Sequence, residues 1–133
     1  MDTVVIDVAT GDRLVTDITD EVSSFSRGRG DGLVHVFAPH ATAGLALIET
    51  GSGSESDLAE LVGRILPRDD RYRHRHGTRG HGADHVLPAL VSPSLVLPVQ
   101  AGALLLGTWQ GIVLVDPNGD NPRRQVRLSF LSG

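Results

Sequence analysis

The sequence predicts an α+β fold, an antiparallel β-sandwich-like core with two to three short helices, organised as a single domain over residues 1–133. Three observations lead there. Strand-like runs cluster at both ends of the chain, helical patterns occupy the middle, and the last run alternates like a strand with one face on a core. Hydrophobic residues make up 40% of the 133, enough for one core, and no internal repeat divides the chain.

The run from Thr3 to Ala9 is β-branched and apolar. Gly11-Asp12 then supplies turn chemistry before a second run from Leu14 to Ile18, so the opening reads as a hairpin. Thr19-Asp20-Glu21 offers an N-cap and early acidic residues ahead of Val22 and Phe25, which predicts a short helix closed by Gly28 and Gly30. Leu33 to Phe37 returns to strand character and runs into Pro39-His40. The clearest helix spans Ser54 to Leu66, where Leu58, Leu61, Val62, Ile65 and Leu66 follow the spacing of one buried stripe. Ser54 with Asp57 resembles a capping box, and Pro67 stops the helix.

Arg68 to Gly82 reads as a loop of mixed charge. From Ser94 onward the chain is nearly all strand: Leu95 to Val99, Leu104 to Val115, and Arg124 to Leu131, separated by Gly102 and by Asp116-Pro117-Asn118-Gly119. Both faces of Leu104 to Val115 are apolar, which places that strand centrally. In the last strand Val126, Leu128 and Phe130 share one face.

Composition narrows the function. A net charge of −4 argues against a surface that coats nucleic acid, because phosphate backbones are held by concentrated positive charge. No apolar run is long enough to cross a bilayer and nothing marks the chain for export, so the expectation is a cytoplasmic protein without a membrane partner. Cysteine is absent, which removes thiolate nucleophiles and cysteine metal sites. All 12 basic residues are arginine, so Schiff-base lysine chemistry and a P-loop lysine are excluded. Cationic recognition falls to arginine, whose planar fork suits phosphate or carboxylate, and to histidine.

Histidine is the residue type on which the chemistry turns. His40 lies in Pro39-His40-Ala41-Thr42-Ala43-Gly44, where small residues let a ligand approach the backbone; it either binds a metal or moves protons, or simply caps a strand edge. Thr42 beside it either donates to a ligand oxygen or ties off the turn. Glu49 precedes the glycine- and serine-rich Gly51 to Ser54, where a carboxylate serves as base or ligand, or is merely an exposed residue near a helix start. His74 and His76 have i, i+2 spacing, and His81 and His85 have i, i+4 spacing. In a polar loop the expectation for His76 and His81 is solvation. His85 leads into Val86-Leu87 and Leu90-Val91, where the chain regains order, and Asp84 beside it is placed to orient a ring nitrogen.

Gly107-Thr108-Trp109-Gln110-Gly111 interrupts an apolar strand. Glycine inside a strand weakens it unless something approaches closely, so the segment reads as a bulge, a ligand contact or a subunit contact, or as room for a core tryptophan. Arg124 shares parity with inward-facing Val126, and a cation on that side needs an anionic partner.

These segments together resemble the YjbQ family, often described as secondary thiamine-phosphate synthases, over nearly the whole chain. The resemblance is carried by Asp17-Ile18-Thr19-Asp20-Glu21-Val22, His40-Ala41-Thr42-Ala43-Gly44-Leu45 with Glu49, and Tyr72-Arg73-His74. It continues through His85, Pro93-Ser94-Leu95-Val96-Leu97-Pro98-Val99, Leu106-Gly107-Thr108-Trp109-Gln110-Gly111-Ile112, and Pro122-Arg123-Arg124. It implies a sandwich-like fold, a homotrimer, and site histidines near a subunit boundary at His40, His74 and His85. Those three suit a metal with an open position, for which they are the implied ligands, or an anion pocket if protonated, with His40, Glu49 and His85 as catalytic groups and Thr42, Gln110 and Arg124 as substrate contacts. The implied reaction joins a pyrimidine diphosphate to a thiazole phosphate with release of pyrophosphate. The implied cofactor is a divalent metal, Zn or Mg, with no nucleotide cofactor, and the substrate is a small phosphorylated molecule. Departures stand out: His81 replaces a usual asparagine, Asp84 a usual alanine, Leu87 a usual lysine and Ser92 a usual glycine; the missing lysine counts against anion binding, while His81 and Asp84 are candidates for added metal ligands.

Two other readings remain open on the residues alone. One is a metal-dependent hydrolase or lyase with Glu49 as base; the other is a non-catalytic ligand-binding trimer with Trp109 at its interface.

Overall fold

The computed structural model describes residues 1–133. Eight strands form two antiparallel sheets. The first contains β1 (Asp2–Ala9), β8 (Arg123–Ser132), β3 (Gly32–Phe37), β5 (Ser94–Gln100) and β6 (Ala103–Leu104), side by side in that order. The second contains β2 (Val15–Asp17), β7 (Gly111–Val115) and β4 (Gly44–Ile48), with β7 in the middle. Helices α1 (Thr19–Ser26) and α2 (Ser54–Ile65) are joined by two single turns, α3 (His81–Asp84) and α4 (Leu87–Leu90). The α+β architecture with an antiparallel sandwich core is therefore what the chain adopts. No helix is long and apolar enough to cross a membrane.

Alternation along β7 explains how the layers stack. Ile112 and Leu114 point toward the first sheet, where they join Val34, Val36, Val126, Leu128 and Phe130 in the larger core cluster. Val113 and Val115 point the other way, into a second cluster with Val62, Leu66, Ala83 and Leu87 from the helical side. The strand is buried on both faces, as its unbroken apolar run requires. The sheets thus form the sandwich, and α2 to α4 cover the outer face of the smaller one.

Four local expectations need correction. The opening is not a hairpin: β1 pairs with β8 in one sheet and β2 with β7 in the other, so the Gly11-Asp12 turn carries the chain from layer to layer. Leu104 to Val115 is not one strand, because Leu105–Gln110 leaves the sheet and only Gly111–Val115 is central. Helix α2 has Gly53 as its N-cap with no side-chain cap, while the Glu55 carboxylate reaches back to the Gly51 N–H at 3.0 Å in place of the Ser54/Asp57 box. Its stripe is only partly covered: Val62 and Leu66 are buried, but Leu61 and Ile65 are exposed, since the three-stranded sheet beneath is too narrow to cover both ridges. Strand β4 has no polar alternation to announce it, because it pairs along β7 between the two cores.

Candidate functional site

Helix α3 is where the site is built. Ala83 is buried in the second core beside Val62 and Leu66, and Leu87 is buried just beyond, so the short turn is clamped by apolar contacts at both ends. That clamp fixes His81 and His85 four residues apart on one side of a helical turn, with their Nε2 atoms 2.8 Å apart. The preceding loop folds back over them. Tyr72 anchors it by donating its hydroxyl to the Pro67 carbonyl at 2.8 Å, and His74 and His76 follow directly.

Four imidazoles converge. The His74 ring centre lies 3.9 Å from that of His76, 4.3 Å from His85 and 5.6 Å from His81. Ligating nitrogens of His74, His76 and His85 all lie within 4.8 Å of one another. Burial holds the His74 and His85 imidazoles below their ordinary pKa, and the neighbouring histidines push in the same direction. Neutral rings keep their lone pairs, which is the state a metal needs. Asp84 lies fully buried behind the cluster, and its burial pushes its carboxyl upward against the opposing pull of Arg68, whose Nη2 is 3.0 Å away.

The donor set can be tested against the ions the sequence suggested. Three imidazole nitrogens suit zinc and its neighbours, whereas Mg²⁺ seeks carboxylate, carbonyl and water oxygens. His74 Nδ1 is moreover a buried nitrogen with no hydrogen-bond partner, an unmet need that a metal bond would satisfy. The cluster fits a zinc-class ion and not magnesium.

The other residues singled out by sequence fall in two further places. At one end of β4, Arg124 is buried and committed: its Nε lies 2.5 Å from Asp116 Oδ2, and its Nη2 donates to Thr42 Oγ at 3.2 Å. Thr42 in turn donates to Asp116 Oδ1 at 2.9 Å. Here is the anionic partner that the parity of Arg124 demanded. Beside it, His40 and Arg124 line one concavity with Asp7, Asn121 and Arg123, and His40 Nε2 accepts the Gln125 N–H at 3.0 Å. Within one chain it is outside the histidine cluster. Burial lowers its pKa, aided by the Arg124 charge.

At the other end of β4 lie Glu49 and Gln110, since Ile48 pairs with Gly111 and Gly44 with Val115. The five residues of β4 separate the two groups by about 17 Å. Gln110 Oε1 accepts the Gly107 N–H at 2.8 Å, which folds its loop tight. Trp109 projects from that loop and is 72% exposed, so it is no core tryptophan.

Seven candidates therefore split three ways: His74 and His85 together, then His40, Thr42 and Arg124, then Glu49 and Gln110. The structure brings in His76 and His81; solvation in the loop was the expectation for both, with His81 and Asp84 also read as candidates for added metal ligands. His81 is in fact buried. The signal for both was present in their i, i+2 and i, i+4 spacings, which gain meaning only when the loop closes on α3.

Comparison with known proteins places this architecture. The model of the UPF0047 protein YjbQ-like family matches residues 4–133. The chain belongs to the UPF0047/YjbQ family. Among its relatives, UPF0047 protein Rv2556c of Mycobacterium tuberculosis is 62% identical over 133 residues and covers all of both chains. A UPF0047 protein of Archaeoglobus fulgidus is 36% identical over 112 residues, 84% of this chain and 87% of the relative. Hypothetical protein APE1520 of Aeropyrum pernix superposes with a TM-score of 0.91 at 30% identity, covering 100% of each chain. A YbjQ-like protein of unknown function from Sulfolobus solfataricus gives a TM-score of 0.90 at 25% identity, over 98% of this chain and 96% of the other.

Proposed function

We propose that this UPF0047/YjbQ protein is a metal-dependent enzyme acting on a small phosphorylated substrate, with a zinc-class divalent ion held by His74, His76 and His85. The observation that carries the reading is the approach of three ligating nitrogens to within 4.8 Å of one another. Three protein ligands leave a coordination position for water or substrate, the hallmark of a catalytic rather than a structural site. When bound, the ion supplies positive charge to phosphate oxygens and lowers the pKa of a coordinated water.

The chain's own residues support a phosphorylated substrate. Arg75 and Arg79 line the same open concavity as His74, His76 and His81. Arg79 is spanned only loosely by Asp70 at 3.6 Å, and Arg75 donates to the Asp70 carbonyl, so both guanidiniums keep donors for an anion. Thr78 is fixed at the rim by its hydrogen bond to Asp120 at 3.1 Å. Within this class the narrower reaction is the one the family resemblance implies, in which a thiazole phosphate displaces pyrophosphate from a pyrimidine diphosphate. Arg75 and Arg79 beside the histidines, which would offset the charge of a leaving diphosphate, are the feature that favours it.

Assembly as a homotrimer belongs to the same proposal. Trp109, Val96, Leu61 and Ile65 expose large apolar surface on the isolated chain, and packing of copies would cover it. Association would also give His40 and Glu49 a route to a neighbouring copy's histidine cluster.

The test uses untagged protein. Metal analysis is expected to give close to one zinc-class ion per chain, lost in His74→Ala and His76→Ala variants. Turnover of phosphate esters, or of the pyrimidine diphosphate and thiazole phosphate pair, is expected to follow metal content. Metal-free protein that cannot be loaded with zinc or cobalt would sink the proposal, as would turnover unchanged in the His74→Ala variant.

A further inference from the structure

We infer that this chain carries a fourth imidazole ligand, His81, held in its metal-binding tautomer by the buried Asp84 carboxylate and, through it, by Arg68. The inference rests on the metal reading above and extends it to three residues which that reading does not use.

His81 is buried, 8% exposed, and cannot swing freely. The Gly77 backbone, at φ +83°, presses on the ring so closely that a Cβ there would stand 2.7 Å from Cδ2. Of the ring nitrogens, Nδ1 has no hydrogen-bond partner and faces Asp84 Oδ2 at 3.6 Å. A shift of about 0.5 Å closes that gap to a hydrogen bond. Asp84 is 0% exposed; Arg68 grips its Oδ2 at 3.0 Å, while its Oδ1 has no partner. A carboxylate held against Nδ1 keeps the proton on that nitrogen, as carboxylates hydrogen-bonded to metal-bound histidines do. The lone pair then resides on Nε2.

That Nε2 lies 2.8 Å from Nε2 of His85, one of the three histidines whose ligating nitrogens come together. Two nitrogens bound to one ion at about 2.1 Å sit roughly 3.0–3.4 Å apart, so the observed pair needs only a small spreading to admit a metal. Four imidazoles leave an open position on an ion that takes five or six ligands, which favours iron, nickel, copper or five-coordinate zinc.

The experiment titrates metal-stripped, untagged full-length protein with Co²⁺, reading affinity by chelator competition and coordination by the cobalt absorption bands. His81→Asn puts a smaller polar side chain in the same space, and Asp84→Asn preserves shape, so both are expected to fold; circular dichroism checks this. Each is expected to lower Co²⁺ affinity about 10- to 100-fold, and His81→Asn to alter the absorption bands. The double variant should bind no more weakly than His81→Asn alone, because Asp84 acts through His81. Wild-type affinity and spectrum in His81→Asn, with binding still lost in His74→Ala, would overturn this inference and leave the three-histidine reading standing. An Asp84→Asn variant that binds as wild type would remove the positioning role. Failure of the wild-type protein to bind Co²⁺ would overturn both.

Discussion

Replacing Arg124 with Met keeps most of the aliphatic stem and deletes the charge, which isolates the contribution of the buried ion pair. The guanidinium side chain is 7% exposed and its partner Asp116 2%, so the carboxylate cannot recover solvation when the cation goes. Removing one member of a buried pair costs about 3–5 kcal/mol, because the remaining charge is left uncompensated. Asp116 keeps hydrogen bonds from Thr42 Oγ at 2.9 Å and the Asn118 N–H at 3.0 Å, which places the loss near the lower end, about 3 kcal/mol. With a urea dependence of about 2 kcal/mol per molar, the unfolding midpoint falls by roughly 1.5 M. Arg124→Met combined with Asp116→Asn removes both charges while retaining the oxygen that Thr42 and Asn118 need. It should recover about half of the loss or more, since neutralising both partners is far less costly than orphaning one. Urea unfolding followed by circular dichroism, at one fixed protein concentration, measures both variants. A single variant that costs less than about 1 kcal/mol, or a double variant no more stable than the single, would refute the claim that charge burial controls this end of β4.

Other expectations follow from equally local geometry. In Gly44→Ala the new Cβ would stand 2.1 Å from the Val91 carbonyl oxygen, so β4 or the α4 exit must move; a loss of about 3 kcal/mol or more is expected in thermal unfolding, and an unchanged midpoint would contradict it. Burial raises the Asp17 pKa, but the hydrogen bonds from Thr19 prevail and hold it below its ordinary 3.8. The stability it contributes is therefore fully present above pH 3.8 and lost as pH falls through the depressed value. The difference in thermal midpoint between wild type and Asp17→Asn should close across that acid range, and a pH-independent difference would show the reasoning wrong. For the proposed homotrimer, Trp109→Ala should shift the mass toward smaller species in light scattering while the circular dichroism spectrum stays native, because the ring is outside both cores. An unaltered mass at low micromolar concentration would exclude Trp109 from a subunit interface.

Much of the architecture could be read in advance because periodicity is a local property. The alternation of Val126, Leu128 and Phe130 set the inner face of β8, and the apolar run read over Leu104 to Val115 announced a strand buried on both sides, although only Gly111–Val115 is that strand. Arg124, out of character on an inner face, pointed to a buried anion, and Asp116 is that anion. Helix α2 was visible from its stripe, although the pattern could not say how much of the stripe a narrow sheet would cover.

Pairing and convergence were a different matter. Whether Thr3 to Ala9 pairs with its neighbour or with the last strand depends on energies summed over residues more than a hundred positions apart, and no local pattern records that sum. The histidine centre has the same character. Sequence determined that six imidazoles exist and that two pairs have suggestive spacing. Tertiary structure decided which of them meet, because Ala83 and Leu87 are drawn into the second core and bring His81 and His85 with them, while the loop above closes to deliver His74 and His76. Residue types and their periods are written in the chain, whereas the coming together of distant side chains is fixed only when the apolar surfaces that carry them are buried against one another.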